Sequence, residues 1–103
     1  MSGANPVRGE AELSVAGVPL VLRPTFQALV AAEAELGPLF ALVERATGGG
    51  LALSEMVGLF WHCRHDAPQA LTRDRLGEAV AEGGLARAAP VLRGLLHQIL
   101  AGR

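Results

Sequence analysis

Between Gly9 and Gly37 the chain reads GEAELSVAGVPLVLRPTFQALVAAEAELG. Two short alternating runs flank a glycine turn, and an Arg-Pro-Thr junction then opens an amphipathic stretch. This order constrains the fold more than any other feature. A two-stranded hairpin is marginal alone in water, so the remaining residues must supply helices that cover one of its faces. Ala11, Leu13 and Val15 alternate with Glu10, Glu12 and Ser14, the period of a strand with one buried face; Val18, Leu20 and Leu22 repeat it after Ala16-Gly17. Pro19 has no N–H and marks an edge position. Pro24 stops the second strand, and Thr25 suits the N-cap of a helix from Phe26 to Leu36, ended by Gly37. At about 100° per residue, Phe26, Leu29, Val30 and Leu36 share one face, expected to point inward. Glu33 lies in the middle of that face and is the local misfit.

The rest of the chain reads as helices. Pro38 to Ala46 suits a second one with Leu39, Leu42 and Val43 inward, and Gly48-Gly49-Gly50 breaks it. Ser54 is placed to cap a third helix through about His65, with Met56, Leu59, Phe60 and Cys63 on its apolar side; Pro68 closes it. Thr72 is placed to cap a fourth, to Glu82, which Gly83-Gly84 ends. Leu85 to Leu100 forms the last, with Pro90 either kinking it or starting its main segment. The expected architecture is α+β: a two-stranded hairpin over residues 9–23 packed on four to five helices over residues 25–101. All belong to one domain, preceded by a flexible start over residues 1–8.

Composition narrows the functional classes. The chain has 103 residues, enough for one modest core, and a net charge of −1, so no bulk field draws it to nucleic acid. All nine basic residues are arginine. The single cysteine, Cys63, excludes an internal disulfide and fits a reducing cytoplasm. No apolar run has the roughly 18 residues that span a bilayer, and the start MSGANPVRGE has no hydrophobic signal core. The expected setting is the bacterial cytoplasm, with neither a membrane nor a nucleic acid as partner.

Few residues suggest chemistry. His62-Cys63-Arg64-His65-Asp66 is the one reactive cluster. On a continuous helix His62, His65 and Asp66 would share a side, while Cys63 would point into the apolar stripe, so a Cys–His dyad cannot form. A metal site on His62, His65 and Asp66 is the alternative reading, with only His97 left to join it. The more ordinary reading is a solvated polar face. Gly48-Gly49-Gly50 lacks the Gly-Lys-Ser/Thr of a phosphate loop, and Asp66 and Asp74 lack the pattern of a calcium loop. No enzyme and no cofactor are expected. Glu33 is the candidate buried charge: it reaches the rim, pairs with Arg23 or Arg64, or meets a partner. Leu92, Leu95, Leu96, Ile99 and Leu100 form a broad stripe on the last helix. It either packs on Phe60 and Trp61 in the core or forms a groove for an amphipathic helix or a second copy of the chain.

Several segments resemble the tail assembly chaperones of gene transfer agents and related tailed bacteriophages. They are RGEAEL (Arg8 to Leu13), LRPTFQAL (Leu22 to Leu29), Glu33 with Gly37, VGLFWHCRH (Val57 to His65) and EAVAEGGLARAAPVLRGLL (Glu78 to Leu96). They cover nearly the whole chain in order. The family hairpin commonly turns on an Asp-Gly type pair, where this chain has Ala16-Gly17. The resemblance implies a non-enzymatic role: binding the tape measure protein, keeping its apolar surface from aggregating, and promoting tail tube assembly from the major tail protein. The last-helix leucines and Ile99 are then the expected partner surface, and a homo-oligomer is compatible with it. A generic homo-oligomeric interaction module is the other non-enzymatic alternative.

Overall fold

A computed structural model describes residues 11–102; the expected flexible start at 1–8, and residues 9 and 10 of the hairpin, lie outside them. β1 (Ala11–Val15) and β2 (Val18–Leu22) pair antiparallel, with Val15 opposite Val18 and Leu13 opposite Leu20. Ala16 (φ 52°) and Gly17 (φ 81°) are both left-handed, which makes the connection a type I′ turn. The expected hairpin is present, and alanine occupies a turn position that asparagine or glycine adopts more cheaply.

The hairpin gains a strand that its sequence did not announce. β3 (Arg64–His65) pairs with β2, Val21 opposite His65 and Leu22 opposite Arg64, giving the order β1-β2-β3. The third helix was expected to run to His65; it ends at Cys63 instead. The cause lies across the sheet: the Arg23 N–H donates to the Cys63 carbonyl at 2.7 Å, taking an acceptor that a helix end leaves open and drawing the next two residues into the ladder.

Five helices follow the hairpin: α1 (Phe26–Leu36), α2 (Leu39–Thr47), α3 (Leu53–Cys63), α4 (Arg73–Gly83) and α5 (Leu85–Ala101). Thr25 and Thr72 cap α1 and α4, their hydroxyls accepting the N–H of Ala28 and of Arg75, each at 3.1 Å. Ser54 does not cap α3. That helix starts two residues earlier, with Ala52 at the N-cap, and Glu55 reaches back to accept the Ala52 N–H at 3.0 Å while Arg45 of α2 donates to it at 2.7 Å. The Ala52 N–H, and after it Arg45, hold the Glu55 carboxyl below its ordinary range. α5 runs through Pro90, which faces solvent.

The sheet's inner face (Leu13, Leu20, Leu22) and the helices close over one core. α3 is its axis: Met56, Val57, Leu59, Phe60 and Cys63 are all buried, and Leu42, Leu76, Val80 and Leu95 pack around them. No single helix among the described residues is long and apolar enough to cross a membrane.

Candidate interaction surface

α1 and α2 meet at 75°, forming an elbow against the rest of the molecule. Glu33 fastens its bend. The side chain is exposed, and its Oε2 accepts the Leu39 N–H at 3.1 Å, one of the donors that a helix start leaves open. The expected buried charge is therefore an exposed helix cap, and the partner it holds is a backbone amide, not Arg23 or Arg64. The physical reason is that the expected inner face of α1 is turned outward. Ala32 is fully buried and Ala28, Leu29 and Leu36 are partly so, while Phe26 is 82 % exposed and Val30 49 %. Counting about 100° per residue from Ala32, Val30, Glu33 and Phe26 fall on the far side.

Small residues set this orientation. Across from α1, Gly58 of α3 is buried, and a Cβ built on it would sit 3.3 Å from Leu36 Cδ2 and 2.7 Å from Arg73 Nη2. The α1–α3 contact thus sets Leu36 against the bare face of Gly58, with Ala32 of α1 also fully buried. A polar clamp completes the contact. Arg73 of α4 donates from Nη1 and Nη2 to the two carboxylate oxygens of Glu35 at 2.8 and 2.5 Å, and His62 Nε2 hydrogen-bonds Glu35 Oε1 at 2.7 Å. Arg73 first, then His62, hold the Glu35 carboxyl down to about 2, and Glu35 in turn raises Arg73.

With α1 so held, two of the chain's three phenylalanines stand in solvent: Phe26 in the first turn of α1 and Phe40, 80 % exposed, in the first turn of α2. The sequence reading missed both. The usable signal was Glu33: a helix whose misfit charge shares a face with Phe26 and Val30 is resolved by burying the alanines and exposing that whole face. The last-helix stripe has the opposite outcome. Leu95 and Leu96 are buried, Leu92 and Ile99 pack against the core, and only Leu100 is exposed, at 57 %. The five residues do not form an open groove; most of them complete the cover of the hairpin.

The reactive cluster is dispersed. His62 lies on the Glu35 clamp, His65 sits in β3, 3.4 Å from the exposed Asp66, and Arg64 stacks 3.5 Å over the Trp61 ring. His62, His65 and Asp66 share no helical face, because the helix that would have aligned them ends at Cys63. No group of three or more metal-binding side chains occurs among the described residues. Burial pushes the Cys63 thiol up to about 12, which keeps it from serving as a thiolate nucleophile at neutral pH.

Two open grooves flank the sheet. One, of about 480 Å³, runs between Val18, Pro19 and Leu20 and the α4 side chains Arg75 and Glu78; the other, of about 560 Å³, lies between Glu12 and Ser14 of β1 and Gly83, Gly84 and Arg87.

Residues 8–102 match a family model described as phage tail tube protein, GTA-gp10. No curated protein and no solved structure shows significant similarity to the chain.

Proposed function

The chain belongs to the phage tail tube protein, GTA-gp10 family, and on that premise we propose that it is a non-enzymatic tail assembly chaperone acting in the bacterial cytoplasm. Its partner in this reading is the tape measure protein, whose apolar helical surface it shields until the major tail protein polymerises around it. The observation that carries the reading is the pair Phe26 and Phe40 on the α1–α2 elbow. An exposed phenylalanine leaves a large apolar area in water, and a pair of them in a chain with only four aromatics calls for a cover. Val30, one turn from Phe26, extends the row at the spacing with which a surface grips an amphipathic helix. The Glu35–Arg73–His62 clamp holds α1 from behind, so that the row is preorganised before a partner arrives.

The second reading, a subunit of the tube wall, follows the words of the family description. The two differ in where the chain ends up. Co-expression with the tape measure protein of the same element, followed by analysis of purified particles, separates them. A chaperone raises the soluble yield of the tape measure protein, co-elutes with it, and is missing from finished particles. Replacing Phe26 and Phe40 together by serine removes both effects while leaving the fold intact. Recovery of the chain in particles as a stoichiometric repeat overturns the chaperone reading in favour of the tube subunit.

A further inference from the structure

The two long edges of the sheet are not equivalent. In a hairpin closed by a two-residue turn the flanking pair exchanges hydrogen bonds, so Val15–Val18, Leu13–Leu20 and Ala11–Leu22 are the bonded pairs. The residues between them, Glu12 and Ser14 on β1 and Pro19 and Val21 on β2, point their backbone groups away from the hairpin. On the β2 side this edge is closed. Val21 pairs with His65, the Arg23 N–H is held by the Cys63 carbonyl, and Pro19 has no N–H to offer. On the β1 side Glu12 and Ser14 have no backbone partner beyond β2 among the described residues, and they line the groove beside Gly83, Gly84 and Arg87. The same groove holds a second incomplete group: Glu12 Oε1 is buried and has no hydrogen-bond partner among the described residues. A buried carboxylate oxygen without a donor is costly, and such groups are nearly always satisfied.

We propose that β1 pairs antiparallel with β1 of a second copy of this chain, about a two-fold axis at Leu13, forming one continuous sheet across a dimer. The register follows from the sequence. A two-fold at Leu13 places Glu12 directly opposite the second copy's Ser14, in the positions that exchange backbone bonds. Ser14 is exposed, and a Glu12 side chain that turns outward from its undonated buried position meets the second copy's Ser14 hydroxyl at the cross-strand distance where such pairs interact. The groove walls are self-complementary as well, with Glu82 and Arg87 of one copy available to their opposites on the other. Because the pairing is isologous, it uses the β1 edge of both copies at once, and this interface closes at two. This interface is separate from the Phe26 and Phe40 surface, so the dimer would present two such surfaces.

The test uses the full chain. Sedimentation equilibrium should show a monomer–dimer equilibrium, and Ser14→Pro should weaken the dimer by about tenfold or more. That substitution removes an outward N–H and leaves the β1–β2 bonds in place, so the melting temperature serves as the fold control. An independent arm covers a variant that fails to fold. Mixing Glu12→Cys with Ser14→Cys chains under mild oxidation should give a covalent dimer, whereas Glu12→Cys alone should not, its two sulfurs being too far apart in this register. Cys63, buried with a raised thiol, contributes no background. A chain that stays monomeric at every concentration, a dimer that a folded Ser14→Pro leaves unchanged, or equal cross-linking by Glu12→Cys alone each overturns the proposal.

Discussion

α1 and α5 are both rich in apolar residues, and they use them in opposite ways. α5 carries a row of large aliphatic side chains and buries most of it; α1 carries two large side chains outward and buries an alanine. The difference lies in what each helix meets. α5 covers the hairpin, whose Leu13, Leu20 and Leu22 leave room for leucines to interdigitate. α1 meets α3 at Gly58, whose missing side chain leaves the space that Leu36 and the Arg73 guanidinium occupy. A helix apolar on several sides does not name its buried face by side-chain size alone.

Six substitutions, one of them read by a pH titration, can break this contrast. The largest effect is expected at Leu95, fully buried: Leu95→Ala should cost about 2–5 kcal/mol in urea unfolding, while Leu100→Ala on the same helix should change stability by less than about 0.5 kcal/mol. Equal effects would show that α5 does not seal the core as described. Next comes the α1–α3 contact. Gly58→Ala should destabilise by about 1–3 kcal/mol through overpacking against Leu36 and Arg73, less the roughly 1 kcal/mol by which alanine favours a helix. A stabilised variant would mean that Arg73 swings aside freely and the clamp is dispensable. The clamp itself is read by pH. Glu35 titrates in the unfolded chain near 4.5 and in the folded one at about 2, so its contribution is complete above 4.5 and is lost as pH falls from there through about 2. Glu35→Gln should flatten the stability curve in that window only; an unchanged acid limb would show that the three groups do not act together.

A smaller gain is expected at the turn, where Ala16→Asn should stabilise by about 0.5–1 kcal/mol because asparagine tolerates a φ of 52° better than alanine. The smallest stability effect belongs to the outward face of α1. Phe26→Ser should leave the unfolding midpoint within error, and a fall of more than about 1 kcal/mol would place that ring in the fold instead of on its surface.

The hairpin, Thr25 and Thr72 were legible in the sequence because each rests on a local rule: period-two alternation, a proline stop, a hydroxyl before a helix. The face of α1 was not, since Phe26, Val30 and Ala32 are all apolar and the choice was made by Gly58, some thirty residues away. β3 was hidden for a similar reason. His62 to Asp66 continue a helical pattern, and the Arg23 N–H, just past β2, takes the Cys63 carbonyl where α3 ends. Which of its two alternatives the α5 stripe takes, core cover or open groove, depended on how much area the hairpin would present, and no local pattern states that. Glu33 was correctly singled out as anomalous, and the anomaly lay in the assumed orientation of its helix.

The pairing of β2 with β3 also has a kinetic meaning. Val21 meets His65, and β1 is covered by α5. Beyond each other, the two strands therefore find their lasting neighbours among segments translated later than themselves. Until those arrive, Leu13, Leu20 and Leu22 are a sticky hairpin with nothing to stick to. The contacts that close the core span long stretches of sequence, and loop closure of that kind slows folding relative to a bundle of neighbouring helices. The hairpin's apolar face thus passes through an early period in which nothing guards it.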